Sequence, residues 1–486
     1  MRPDQRTPAT GVTAQTRVTS RPWPAPHRRF VKIVRPDNDR PGLYRDEPEV
    51  CRRDWQKLMP ALIQLGLMLA VFHVFRVEGR AFRLIVTVIL AALPVHYLLP
   101  YRWKKPAFVA ISLGGLIGVL GTDLSAAVIA ISSILIGICV LPVAWGLRTG
   151  LVIVTGLTFA LARTSSVSNF LPEGTWTIVG TMFMFRILIY LYEIKHARAP
   201  ESFTDTLSYF FLLPNYCFLH FPVVDYRTMQ RGYFSRDVHA IMNTGLGMMF
   251  KGTTHLLVYR LIYHELLVTP DEVQGAVGLA GYLICNYLLY LRVSGQFHMA
   301  CGMLHLFGFA LPETHHNYLL ATSFTDYWRR INIYWKDFMV RLIFNPVAFR
   351  LKRKPTWQAL AAATFAVFVA TWALHAYQSF WLRGSWGITL PDTLFWGILG
   401  VLVMVNVQIN AKCQPSARGT KMTPRDFAVR SAKTMATFTT IVVLWSLWSS
   451  PSLGAWVNLM AKAFVIEPLD FRWITAMPFF KPFATH

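Results

Sequence analysis

The stretch from Ser323 to Trp381 determines how the rest of the chain can be interpreted. It begins SFTDYWRRINIYWKDF (323–338), continues through the basic segment RLKRKPTW (350–357) and enters the apolar run TFAVFVATWALHAYQSFW (364–381). That run contains no Asp, Glu, Lys or Arg, so His375 is its only strongly titratable group. An ionisable side chain at bilayer depth is costly and therefore indicates function, unless it is bonded across a helix interface or lies near the membrane surface.

The composition predicts a polytopic membrane protein. The chain has 486 residues, of which 54% are hydrophobic and only 15% charged, and its mean hydropathy is +0.38. A soluble domain carries about a quarter charged residues. The apolar runs approach the ~20 residues that a helix needs to cross a hydrocarbon core. We therefore predict an all-α bundle with about ten to thirteen spanning or re-entrant helices and one interfacial helix.

Three regions follow from the distribution of apolar residues. Residues 1–57 are polar, with thirteen basic and seven acidic side chains, and predict a partly disordered cytoplasmic arm. Residues 58–470 form the transmembrane domain, and the aromatic tail 471–486 is expected at the interface. The apolar runs lie at about 58–75, 82–99, 107–121, 125–146, 150–162, 176–192, 206–221, 390–409, 434–449 and 453–466, besides those around the polar segments described below.

The charge of the chain indicates contact with anionic lipid. The net charge is +23, from 48 basic and 25 acidic residues, and the basic residues lie mostly between the apolar runs, as the positive-inside bias expects. We interpret this charge as membrane topology rather than as a nucleic-acid site. The six cysteines have no C-x-x-C spacing, so neither a zinc site nor a disulfide framework is indicated.

Several histidines lie in the middle of the chain. His255 and His264 are nine residues apart, about two and a half helical turns, so they should face opposite sides of one helix and cannot chelate one metal. His298 lies among apolar residues, and His315 and His316 lie in a loop after a proline. No H-E-x-x-H pattern accompanies them, and we predict no metal site.

The segment Asp326–Lys354 is rich in tryptophan and in basic residues. This density is typical of a helix at the headgroup level, with aromatic rings at the interface and cations toward phosphate. An interfacial anchor accounts for most of these side chains, among them Trp328, without any chemistry. It does not account well for Asn332.

Four segments follow one another in the second half of the chain: FPVVDYRTMQRGYF (221–234), GLGMMFKGTTHLLVY (245–259), VSGQFHMACGMLHLFGFALPETHHNYLLATSFTDYWRR (293–330) and TWALHAYQSFWLRG (371–384). In this order they resemble the membrane-bound O-acyltransferase (MBOAT) family, in particular its bacterial alginate O-acetylase-like branch. Together they extend over about a third of the chain. The resemblance implies a catalytic core at about 221–384 and an O-acyltransferase activity.

The resemblance also implies roles for individual residues. The family's catalytic histidine corresponds to His375, three residues after Trp372, and its second polar position corresponds to Asn332. The family's W-R-R-W-H reads Trp-Arg-Arg-Ile-Asn at 328–332, as in its asparagine-bearing enzymes. Its F-S-G-Y-S-D reads Val-Ser-Gly-Gln-Phe-His at 293–298, which puts a uronic-acid polymer as acceptor in question. The residues expected to bind donor or substrate are Trp328, Arg329, Arg330, Lys336 and Trp372.

The reaction implied is transfer of a short acyl group, such as acetyl, from a thioester to a hydroxyl. Histidine suits the base because its unperturbed pKa of about 6.5 is near working pH. Asn332 would position the donor or steady the oxyanion through its amide. No cofactor is expected to stay bound, and acyl coenzyme A or another acyl thioester is the expected co-substrate at the cytoplasmic face.

The expected setting is a bacterial inner membrane with the N-terminus in the cytoplasm. A glycan of the envelope is the favoured acceptor, and relatives of this branch often work with a separate periplasmic protein. The alternatives are a lipid or small-metabolite acyltransferase of the same family, a non-catalytic member acting as receptor or assembly subunit, and a transporter or flippase. A transporter should place charged or broken-helix sites near the midplane.

Overall fold

The fold of the chain is helical, as the composition predicts. The computed structural model describes residues 51, 53–165, 171–196, 202–219, 225–412 and 423–464. About 82% of these described residues are helical, and they form no strand. Within the same ranges, ten helical segments are long and apolar enough to cross a membrane. The protein is therefore an all-α, multi-pass membrane protein.

The first five helices are each 19 or 20 residues long. They are α1 (Trp55–Val74), α2 (Arg80–Leu98), α3 (Tyr101–Leu120), α4 (Thr122–Val140) and α5 (Trp145–Thr164). All five meet the length and apolarity of a span, which confirms the first five predicted runs as helical. No residue of α5 is buried, so its apolar surface is available to lipid.

The next helices are shorter and more buried. They are α6 (Thr175–Phe183), α7 (Arg186–His196), α8 (Phe203–Phe210) and α9 (Tyr226–Gly232). α6 and α7 together make one candidate span. The run at about 206–221, predicted to be one of the spanning or re-entrant helices, does not form one continuous helix. Instead α8 ends after 8 residues, about 12 Å, and a 3₁₀ turn containing Pro214 follows.

A closely packed helix pair lies at the centre of the chain. Its members are α10 (Val238–Leu261) and α12 (Leu291–Leu306), and α11 (Gly275–Leu288) precedes the second. A Cβ added to Gly252 would lie 2.8 Å from the carbonyl oxygen of Gly295, and one added to Gly245 would lie 2.9 Å from that of Gly302. In each helix the two glycines are seven residues apart, or about two turns, so they share a face. Small residues thus let the two backbones touch.

The segment expected to form one interfacial helix is divided into short pieces. They are α13 (Phe324–Arg330), α14 (Ile333–Met339), a π-helical turn (Val340–Phe344) and α15 (Asn345–Arg350). The break between the first two lies at Asn332, whose φ of +40° cannot continue a helix. Several aromatic side chains of α14 are buried, so this region packs into the bundle rather than lying only on its surface.

The last four helices complete the bundle. They are α16 (Thr356–Arg383), α17 (Leu390–Lys412), α18 (Pro424–Ser449) and α19 (Leu453–Ala461). α16 has 28 residues and ends at Gly384, where a φ of +79° favours glycine. α19 has only 9 residues, too few for a span. The predicted arm 1–57 lies almost entirely, and the tail 471–486 wholly, outside the described residues.

Candidate functional site

His375 lies in an aromatic enclosure near one end of α16. It is eight residues before Arg383, about 12 Å from the end of the helix at ~1.5 Å per residue. Measured between ring centroids, its imidazole is 4.7 Å from Trp396, 5.5 Å from Trp335 and 6.2 Å from Trp448. The imidazole is partly exposed. Indole rings therefore line three sides of the one histidine that the sequence singles out.

The three tryptophans come from three different helices. Trp335 belongs to α14, Trp396 to α17 and Trp448 to α18. The indole N–H of Trp335 donates to the hydroxyl of Thr371 on α16 at 3.4 Å, which ties α14 to the helix of His375. Sequence reasoning named none of these tryptophans as site residues, because only the fold brings them to His375.

A carboxylate accompanies this aromatic enclosure. Asp392 lies in the first turn of α17, and its backbone N–H donates to the Thr389 hydroxyl at 3.2 Å. The indole N–H of Trp448 donates to Asp392 Oδ1 at 2.7 Å. The indole N–H groups of Trp372 and Trp396 lie close to the same carboxyl group, although neither has a partner of full hydrogen-bond geometry in the described chain. Asp392 is the acidic residue of this site that sequence reasoning missed.

Asn332 occupies a capping position. Its side-chain oxygen accepts a hydrogen bond from the backbone N–H of Trp335 at 3.3 Å, so it is the N-cap of α14. Asparagine tolerates the left-handed backbone better than most residues do. The carbonyl oxygen of Thr314 accepts from the N–H of Ile333 at 2.7 Å and steadies the same junction. Capping explains Asn332 structurally, and Trp335 connects it to His375.

The predicted donor-binding residues have partners in the structure. Arg330 Nε donates to Asp326 Oδ1 at 2.8 Å, and Lys336 Nζ lies 2.5 Å from Asp337 Oδ1. Burial lowers the pKa of Arg329 from its usual value, and the charge of nearby Asp326 opposes this shift. The local ion pairs offset part of the positive charge that the sequence presents in this region.

The two tryptophans predicted to bind donor or substrate lie in different surroundings. The ring of Trp328 packs on Phe368 at 4.8 Å between centroids, as expected of a packing residue. Trp372 is on α16, one turn before His375, with its indole N–H near Asp392. The structure thus brings Trp372 to the His375 site and gives Trp328 a packing contact.

Three histidines from separate elements meet elsewhere in the bundle. His298 is fully buried, and its ring lies 5.5 Å from that of His255 and 5.8 Å from that of His315. His255 Nδ1 lies 2.9 Å from Ser294 Oγ, and His315 Nε2 lies 2.9 Å from the Tyr290 hydroxyl. Burial lowers the pKa of His315 well below its usual value, so its imidazole is neutral at pH 7.

The spacing of the histidines did not predict that three of them meet. His255 contacts α12 through Ser294, whereas His264 is exposed in the π-helical turn that follows α10. Among the residues that the structure describes, no group of three or more His, Cys, Asp or Glu side chains has the geometry to hold a metal ion. The three rings pack against each other rather than pointing their nitrogens at a common centre.

An ionic cluster links distant parts of the chain. Arg341, in the π-helical turn, donates to Glu193 and to Asp225, each at 2.6 Å. Burial alone would raise the pKa of Asp225, but interactions with Glu193, Arg341 and Thr228 outweigh burial and hold it below its usual range. Hydrogen bonding to Asp225 raises the pKa of Arg341 despite its partial burial. This cluster fastens the segment after α14 to α7 and α9.

Comparison with known proteins adds no identification. No protein-family model matches the sequence, and no curated protein matches it.

Proposed function

We propose that this chain is a membrane-embedded O-acyltransferase with His375 as general base. It moves a short acyl group, such as acetyl, from a thioester to a hydroxyl of an envelope glycan or a related acceptor. The observation that carries the proposal is the enclosure of a histidine by Trp335, Trp396 and Trp448 on a long apolar helix. The four ordered segments that resemble the MBOAT family supply the reaction class.

The surroundings of His375 suit general-base chemistry. The neutral form of an imidazole accepts a proton, and the unperturbed pKa of histidine, about 6.5, is near working pH. Indole rings exclude water from the acyl donor, and their faces attract the positive charge that develops on the ring. His375 is partly exposed, and the acceptor is proposed to approach its imidazole from that exposed part.

The proposed reaction is direct transfer without a covalent enzyme intermediate. His375 takes the proton of the acceptor hydroxyl as its oxygen forms a bond to the thioester carbonyl carbon, and the carbonyl electron pair moves to the oxygen. The amide of Asn332 steadies this oxyanion. Collapse of the tetrahedral intermediate restores the carbonyl, breaks the carbon–sulfur bond and releases a thiolate, which takes the proton back from His375.

We also propose a setting for the reaction. The protein lies in a bacterial inner membrane with its N-terminus in the cytoplasm, where Arg329, Arg330, Lys336 and the basic stretch to Lys354 attract an anionic donor such as acyl coenzyme A. The acceptor reaches His375 from the other face, with or without a periplasmic partner protein. No cofactor stays bound.

Thioester consumption by the purified full-length protein in nanodiscs tests the proposal. A panel of acyl coenzyme A donors is offered to the wild type and to His375→Gln, which keeps side-chain volume and polarity, and His375→Ala. We expect both variants to lose turnover by about 100-fold or more, the range for removal of a general base. His264→Gln is the matched control and should keep wild-type turnover, because His264 is exposed and lies in the π-helical turn that follows α10.

Two results would contradict the proposal. Equal donor consumption by the wild type and His375→Gln would show that His375 is not the general base. Transport of a solute across proteoliposomes, without thioester consumption under any donor or acceptor mixture, would favour a transporter or flippase instead.

A further inference from the structure

Asp392 occupies an unusual position for a carboxylate in an aromatic wall. It lies in the first turn of α17, four residues before Trp396, and its side chain is only partly exposed. A carboxylate surrounded by indole rings costs free energy unless donors satisfy it. The indole N–H of Trp448 provides one donor at 2.7 Å. An apolar residue would pack against the same rings without this cost.

Trp448 links Asp392 to His375. Its indole N–H is bonded to the carboxylate, and its ring centroid lies 6.2 Å from that of the imidazole with the two planes at 83°. Phe395 stacks on it at 5.1 Å and 15°, and Trp445 meets it edge to face at 4.9 Å. The stacked ring of Phe395 keeps the plane of the Trp448 indole fixed. The hydrogen bond fixes the rotation of the indole within that plane.

Trp396 forms a second connection. Its ring lies 4.7 Å from that of His375 in a tilted arrangement, with 30° between the planes, and is closer to the imidazole than the rings of Trp335 and Trp448. Trp396 also meets Trp448 at 6.1 Å, and its own N–H lies close to Asp392. Two of the three indoles around the imidazole therefore lie at the same carboxylate, and Trp448 is hydrogen-bonded to it.

We infer that Asp392 is a positioning residue which, as hydrogen-bond acceptor for Trp448, holds the indole rings that orient the imidazole of His375. This inference rests on the proposed function for its kinetic consequences. Because misplacement of a reacting group by about 1 Å can cost about 100-fold in rate, loss of this acceptor lowers turnover without removing any reacting group.

Turnover kinetics of four variants test the inference. Asp392→Leu removes the acceptor, and Trp448→Phe removes the donor while keeping a ring. Each should lower kcat about 10-fold or more and leave KM within about twofold. The double variant should be no slower than the slower single variant, because residues that act through one contact are not additive. Asp392→Asn keeps an acceptor oxygen and should restore kcat to within about threefold of the wild type.

Asp123→Leu is the matched control. Asp123 also lies in the first turn of a spanning helix, α4, and is exposed. Its kcat should stay at the wild-type value. Additive losses in the double variant, or an Asp392→Asn protein as slow as Asp392→Leu, would overturn the inference. Unchanged kcat in Asp392→Leu would overturn it as well.

A second measurement decides the inference even when no thioester is consumed. Modification of His375 by diethyl pyrocarbonate, followed by peptide mass spectrometry, reports how firmly the imidazole is held in folded protein. We expect about a fivefold faster reaction in Asp392→Leu and Trp448→Phe than in the wild type, Asp392→Asn or Asp123→Leu. Equal rates in all of them overturn the positioning role. If the wild type shows no turnover but His375 is modified faster in Asp392→Leu, the positioning role stands and only the proposed function is contradicted.

Discussion

The backbone N–H of Trp335 donates a hydrogen bond to the side-chain oxygen of Asn332 at 3.3 Å, while the ring of Trp335 lies 5.5 Å from His375. The side chain of Asn332 thus caps α14 and holds the backbone of Trp335, whose ring lies beside His375 in the proposed active site. The other end of the same amide, its NH₂ group, is the part that would act on an oxyanion. A substitution can separate these two properties.

Asn332→Asp separates capping from catalysis. Aspartate keeps an acceptor oxygen for the N-cap and tolerates a positive φ, but it loses the amide donor. We expect the melting temperature in detergent to stay close to the wild type while turnover falls about 100-fold, as for loss of an oxyanion donor. Full turnover in Asn332→Asp would show that the residue serves only as a cap. Asn332→Ala should lower both properties.

Gly252→Ala tests the contact between α10 and α12. The new Cβ would lie 2.8 Å from the carbonyl oxygen of Gly295 and 3.0 Å from the backbone nitrogen of Met299, and backbone atoms cannot move aside as a flexible side chain can. We expect the free energy of unfolding to fall by about 1–3 kcal/mol, as for other overpacked positions.

Gly247→Ala is the control for that substitution. It lies in the same helix, and nothing is within 4 Å of its added Cβ. Alanine favours a helix over glycine by about 1 kcal/mol in water, so this variant should be as stable as the wild type or more so. Chemical denaturation in detergent, followed by tryptophan fluorescence, measures both variants. Equal stability of the two alanine variants would contradict the close approach of the helices.

Arg341→Met tests the ionic cluster. It leaves the partly buried carboxylates of Glu193 and Asp225 without their shared cation. Breaking a buried ion pair costs about 3–5 kcal/mol. Because the Arg341 side chain is 37% exposed and solvent screens its charge, we expect a smaller loss of about 2 kcal/mol. Arg350→Met, an exposed arginine of α15, should change stability by less than about 0.5 kcal/mol.

Buried His315 predicts a pH dependence of stability. In the unfolded chain its pKa is about 6.5, whereas in the folded protein the pKa is well below that value. Between these two values the unfolded state binds the extra proton, so the free energy of unfolding falls as the pH decreases below about 6.5. One such group contributes up to about 1.4 kcal/mol per pH unit.

Melting temperatures between pH 7.5 and 5.5 measure this effect. The decrease toward low pH should be smaller in His315→Gln than in the wild type, because the substituted side chain does not titrate. His316→Gln is the control, since His316 is the adjacent residue and is exposed. The same decrease in His315→Gln and in the wild type would place the titrating group elsewhere.

The sequence predicted the long membrane-spanning helices better than the shorter segments between them. Runs of apolar residues identified α1 to α5 and α17, because the energetic need to cover a helix in hydrocarbon acts on each segment separately. The run at about 206–221 is not one continuous helix, because Pro214 favours the 3₁₀ turn that follows α8 despite the hydropathy of the run. The interfacial segment failed as one helix because Asn332 adopts a positive φ.

The sequence by itself determined that the chain is a helical multi-pass membrane protein and that His375 is an ionisable group on an apolar helix. Both follow from the cost of placing polar groups in hydrocarbon, which can be assessed one segment at a time. Only the tertiary structure decided that Trp396 and Trp448 lie beside that histidine and that Asp392 accepts a hydrogen bond from Trp448. They lie on helices whose order and rotation depend on packing between segments, and packing between distant segments leaves no periodic pattern in the sequence.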